Sequence, residues 1–239
     1  MESSFFEKLF SSWSKTYYTE PVLAILSFTA IILGLKNYRK EKIYTFFIVY
    51  SISTFFLLLL SGVLRATLPL SDRVIIIETG NTLFEFIELS VFYYFFLQII
   101  NSNVVRLVMK FSFIAFLIPV ILFLVKIIDQ DLSINQVTQF STLIGSVKFF
   151  LFLIPIFTYF FELFSKDPVK DIFHSPALWI TSGLFFYCLS TLPFLLISDS
   201  LATLDRSLYL LMFSIHFLSL SFLFLTIIKA FTWKNPITT

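Results

Sequence analysis

Four ionisable residues stand inside long apolar stretches of this chain: Glu85, Glu88, Lys148 and His216. A charge at the middle of an apolar helix costs about 2.5–3.5 kcal/mol on insertion scales, so each needs a partner or a task. Glu78 and Asn81 precede the two glutamates. At about 100° per residue the four positions fall within roughly 80° of a helix wheel and form one stripe if the helix starts early. A lysine is the natural counter-ion for such a stripe, and an imidazole is the side chain that titrates closest to neutral pH. Tyr187, with Ser190 and Thr191, adds a phenol and two hydroxyls. This chemistry suits capture of a small ligand or a proton. The expected binding set is Asn81, Glu85, Glu88, Lys148, Tyr187 and His216, with no catalytic residue, no metal and no cofactor. Plainer readings stand beside it. A glutamate–lysine pair can simply fix helix register, and His216 can be a hydrogen-bonded core histidine.

The usual catalytic motifs are absent. There is no His-Glu-x-x-His, no glycine-rich phosphate loop and no Gly-x-Ser-x-Gly. His174 and His216 belong to different segments, and the single cysteine, Cys188, cannot form an internal disulfide. The chain is therefore expected not to be an enzyme.

The elements that must position these groups follow from composition. Of 239 residues, 58% are hydrophobic and 13% charged, with a mean hydropathy of +0.91. Soluble domains carry roughly 45–50% apolar and about 25% charged residues. Crossing a bilayer takes about 20 apolar residues in a helix. Seven stretches qualify: Pro21–Leu35, Ile43–Leu64, Thr82–Ile100, Val104–Val125, Phe140–Phe164, Pro176–Ser198 and Ser207–Phe231. The predicted fold is all-α, a polytopic seven-transmembrane-helix bundle over residues 21–233, with a short tail over 234–239. Residues 1–20 read as an interfacial amphipathic segment. Phe5, Leu9 and Trp13 recur at helical spacing, and Glu2 and Glu7 stand where a signal peptide would be basic. The connections, Arg65–Asn81 among them, read as short polar loops. Glu162, Lys166 and Lys170 read as a solvated helix end, and Trp179 as an interfacial belt residue.

Basic residues divide unevenly between the two faces. Ten (Lys36, Arg39, Lys40, Lys42, Arg106, Lys110, Lys166, Lys170, Lys229 and Lys234) share one side; six (Lys8, Lys15, Arg65, Arg73, Lys126 and Arg206) share the other. The positive-inside rule then places the N-terminus outside and the C-terminus in the cytoplasm. In that topology the third, fifth and seventh stretches run inward in parallel. Glu88, Lys148 and His216 each lie about 9–14 Å below the outer surface. Three ionisable groups at one depth predict an outward-facing polar cavity. Tyr50, Thr54, Ser61 and Arg65 on one face of the second stretch would extend it.

From the third stretch onward, "NTLFEFIELSVFYYFF", "PIFTYFFELFSKDPVKDIFHSPALWITSGLFFYCLSTLPFLLIS" and "IHFLSLSFLFLTIIKAFTW" resemble small uncharacterised seven-transmembrane-helix proteins of Bacteroidota, often encoded beside sensor histidine kinases. The resemblance covers about two thirds of the chain and implies a signalling role, with Glu85, Glu162, Trp179 and Tyr187 as pattern positions. The first two stretches match only in hydropathy.

Together these readings predict a signal-sensing or signal-transmitting membrane subunit without catalytic activity. Its partners would be the lipid bilayer, a sensor kinase or another membrane signalling protein, and a small-molecule ligand. A net charge of +2 gives no reason to expect nucleic acid. The alternative is a proton- or small-cation-coupled transporter or channel using the same carboxylates as a relay. That needs polar groups through to the inner surface. Beyond Glu88 the third stretch is mostly Phe, Leu, Val and Tyr, with Gln98 only near its end.

Overall fold

The computed structural model describes residues 19–37, 42–129, 132–165, 175–204 and 206–232. Among them are seven helices: α1 (Thr19–Asn37), α2 (Lys42–Thr67), α3 (Leu70–Ile99), α4 (Asn103–Ile128), α5 (Ile134–Phe164), α6 (Pro176–Leu204) and α7 (Arg206–Thr232). All seven are long and apolar enough to cross a membrane. The chain is an all-α, multi-pass membrane protein. Helices are the expected form for such segments, since hydrocarbon offers no partner for a free backbone N–H or C=O.

The helices outrun the apolar stretches that announce them. α3 begins at Leu70 rather than Thr82, so Arg65–Asn81 is mostly helix, broken only around Leu68 and Pro69. α6 runs through Leu204, and α7 opens at Arg206. Thirty residues of α3 span roughly 45 Å at ~1.5 Å per residue, more than the hydrocarbon thickness, so its polar first turns need not enter lipid. Residues 1–18 and 233–239, which carry the expected interfacial segment and tail, lie outside the described residues, as do Lys166 and Lys170. Thr19 and Glu20, placed in the interfacial segment on sequence, instead open α1.

Local chemistry sets the helix ends. Pro69 precedes α3 in an extended conformation, and Pro176 opens α6, where a missing N–H costs nothing. The Ser102 side chain accepts from the Val105 N–H to start α4. At the start of α5 the Gln136 carbonyl accepts from the Ser133 N–H at 2.9 Å, half of a capping box. Pro119, Pro155 and Pro193 lie inside α4, α5 and α6, which continue through them.

Six helices close into a ring: α1 packs on α2, α2 on α3, α3 on α5, α5 on α6, α6 on α7, and α7 back on α1. α4 stands outside it, against α3 and α5. The face where α1, α3, α5 and α7 begin is the amino face, and the opposite one is the carboxy face. Phe47, Phe92, Phe95, Phe96, Phe152 and Phe224 are fully buried in the ring. Val104, Phe111, Phe161 and Leu218 point outward, as expected where lipid is the solvent.

Candidate functional site

The amino-face halves of the ring helices leave room between them. There a cavity of about 520 Å³ is lined by α1, α2, α3, α5, α6 and α7. Each helix contributes its half nearest the amino face. α2 supplies Thr54, Ser61 and Arg65, α3 Glu78, Asn81 and Glu85, α5 Ser141, Thr142 and Gly145. Tyr187 and Thr191 of α6 and His216 of α7 complete the polar wall.

At the inner end of this cavity lies the feature the charge pattern anticipates. The Lys148 ammonium on α5 forms ion pairs with both Glu85 and Glu88 on α3. Lys148 and Glu88 have no exposed surface, whereas the Glu85 side chain is 18% exposed. Tyr50 on α2 donates its hydroxyl to Glu88 Oε1 at 2.8 Å, so both oxygens of that carboxylate are engaged. Buried charges persist only when paired and hydrogen-bonded in this way. The Phe149 ring centroid lies 4.0 Å from Lys148 Nζ and adds a cation–π contact.

The two glutamates, expected together as an acidic wall, have different surroundings. Glu85 lines the cavity, and Glu88 does not. Positions three apart on a helix differ by about 60° around its axis. That rotation turns Glu85 toward the cavity and Glu88 into the α2–α3–α5 seam. Gly145 makes the arrangement possible. A Cβ there would sit 3.2 Å from Glu85 Oε1.

His216 stands in the same layer but outside the ion cluster. Its Nδ1 is 2.8 Å from the Thr191 hydroxyl, and its ring packs on Tyr187, Phe194 and Phe217. Among the described residues none of these contacts is to a carboxylate. Tyr187 separates histidine from lysine, its ring 5.6 Å from the imidazole centroid and 5.9 Å from Lys148 Nζ. Asn81 Nδ2 bonds Glu78 Oε2 at 3.3 Å and does not reach the ion cluster directly.

Two ion-binding contacts carry no signal in the apolar pattern. Arg65 Nη2 meets both Glu20 oxygens at 2.7 and 2.9 Å and the Ser61 hydroxyl at 2.6 Å, clasping α1 to α2 beside the cavity mouth. Glu162, read as a solvated end, instead caps the turn before α4. Its carboxylate accepts from the backbone N–H groups of Asn101 at 2.9 Å and Ser102 at 2.9 Å, and from Asn101 Nδ2 at 3.0 Å. α5 is thus tied to α3 at mid-bundle and to the turn that follows α3 at the carboxy face. Trp179, read as a belt residue, lies 3.8 Å under the Lys229 ammonium, a contact between α6 and α7.

The chain matches no protein-family model, no curated protein and no solved structure.

Proposed function

We propose that this protein is a sensing subunit of a bacterial cytoplasmic membrane that binds a small ligand or a proton in its cavity and signals through a partner. The observation that carries this reading is that the cavity lining stays in one half of the ring. That lining comes from the amino-face halves of six helices, and beyond Glu88 the ring is filled by Phe92, Phe95, Phe96 and Phe152. A transport path would need polar groups continuing to the carboxy face. A site that is filled and emptied from one side does not.

Transmission has a physical route. Lys148 is shared between a carboxylate at the cavity wall and one sealed in the helix seam. Any event that weakens its bond to Glu85 leaves it drawn to Glu88 and shifts α5 against α3. α5 also holds the turn after α3 through Glu162 and Asn101, at the carboxy face. A kinase or comparable membrane partner would read the shift there. The resemblance to proteins encoded beside sensor kinases favours that partner, and the ten-to-six division of basic residues favours an outward amino face.

Three measurements test the proposal in a Cys188→Ala background. Cysteines at Thr67 and Asn37 report orientation; an outside-only reagent should reach position 67 and spare position 37. Spin labels at Asn37 and Ser165 should change their mutual distance when the amino-face medium is acidified or a cavity ligand is added. Proteoliposomes should show no proton or alkali-cation flux above empty vesicles. A proton or cation flux above empty vesicles would replace the sensor with the transporter, and an unmoved label distance under every condition would remove the signalling role.

A further inference from the structure

The charges around the cavity do not balance. Glu20 and Arg65 satisfy each other, and Lys148 is divided between Glu85 and Glu88. Glu78 has, among the described residues, only neutral donors, Asn81 and Ser141. With the carboxylates ionised, the lining and the cluster behind it carry excess negative charge, while His216 meets Thr191 through Nδ1.

One acceptor is singled out. Lys148 pairs with Glu85 through Oε2. Among the described residues Glu85 has no donor besides Lys148, and its Oε1 faces Gly145 across the gap that a Cβ would fill. Glu85 is the partly exposed member of the cluster and lies on the cavity wall. A carboxylate oxygen in a low-dielectric site strongly favours a charged N–H donor. The same cavity is lined by aromatic rings, Phe84, Phe149, Tyr187, Phe194, Tyr209 and Phe213. Ring faces attract cations as well as covering apolar groups, and about 520 Å³ is within the range of pockets for compact organic molecules.

Resting on the ligand-sensing reading above, we infer that the cavity takes a small organic ammonium with an apolar or aromatic body. Its N–H donates to Glu85 Oε1, and its body lies against the aromatic wall. Binding a cation there competes with Lys148 for the Glu85 charge, which is the perturbation the α3–α5 joint would transmit.

Matched sets of ligands decide it. The probes are 2-phenylethylamine, 2-phenylethanol and phenylacetate, with equivalent amine, alcohol and carboxylate sets on naphthyl and butyl bodies. Binding is measured on the full chain in nanodiscs by calorimetry and by displacement between members. In at least one set the ammonium should bind on the order of tenfold tighter than its alcohol, with the carboxylate weakest, as expected for a site built around an unanswered charged acceptor. Glu85→Gln should erase that preference while leaving the alcohol's affinity within about twofold, the residual contact being apolar. Should Glu85→Gln fail to fold, the wild-type preference still decides the inference. Alcohols or carboxylates binding as well as amines in every set would overturn the ammonium while keeping the cavity as a ligand site. Binding by no member would remove small-ligand sensing itself.

Discussion

Replacing Lys148 by methionine removes the only cation that touches Glu85 and Glu88 among the described residues, while preserving most of the side-chain volume. Breaking a buried ion pair from one side costs about 3–5 kcal/mol, because the remaining charge stays desolvated. The structure apportions that cost unevenly. Glu88 has no exposed surface and keeps a single donor, the Tyr50 hydroxyl. Glu85 is 18% exposed and can recover solvation through the cavity. Most of the loss should therefore belong to Glu88. Lys148→Met should destabilise by about 3–5 kcal/mol. Lys148→Met/Glu88→Gln should regain more of this than Lys148→Met/Glu85→Gln. The triple variant, with both glutamates changed, should approach the parent. Reversible unfolding in bicelles, read by steric trapping between α3 and α6, gives the four free energies on one scale. If the triple variant is no more stable than Lys148→Met alone, desolvated carboxylates are not the cause of the loss. If the Glu85 and Glu88 double variants recover equally, the asymmetry in exposure has no energetic meaning.

Close packing and the α1–α2 clasp give further expectations. A Cβ at Gly183 would lie 2.5 Å from Thr226 Oγ1 and 3.2 Å from the Leu223 backbone. Gly183→Ala should cost about 1–3 kcal/mol and loosen α6 from α7, seen as faster amide exchange in both; an unchanged protein would mean this contact has slack. Arg65→Met should free α1, because Glu20, 6% exposed, loses its cation. The exchanged pair Glu20→Arg/Arg65→Glu should restore part of the stability, and equal loss in the single and exchanged variants would refute the clasp.

The seven helices were legible because hydrocarbon demands long apolar runs, which few other structures need. Their ends were not. Ser71, Asp72 and Arg73 read as loop because soluble connections look like that, yet a helix longer than the hydrocarbon is thick can begin in polar residues without penalty. α3 does so, starting at Leu70. That early start is what brings Glu78, Asn81 and Glu85 onto one cavity wall. Glu20–Arg65 and Glu162 were missed for a related reason. Charges near helix ends cost little, so their presence carries no signal until distances are known. The use of Gly145 is likewise invisible in one dimension, since nothing in its neighbours indicates a carboxylate on the facing helix.

The ion cluster was legible for the opposite reason. A lysine and two glutamates deep in apolar helices must find one another, and equal depth on parallel helices leaves few arrangements. Depth is only one of two coordinates, and rotation about the helix axis is the other. The stripe of α3 is wide enough that the border between cavity and helix seam runs through it. Glu85 therefore falls on the cavity side and Glu88 on the buried side. His216 meets the depth criterion too, but α7 is separated from α5 by α6 in the ring, so Tyr187 stands between it and Lys148. A shared depth selects the layer, and the order of helices around the ring decides which members of that layer touch. That order makes α3 and α5 neighbours although α4 lies between them in sequence. Placing α4 outside the ring brings Lys148 into reach of the glutamates.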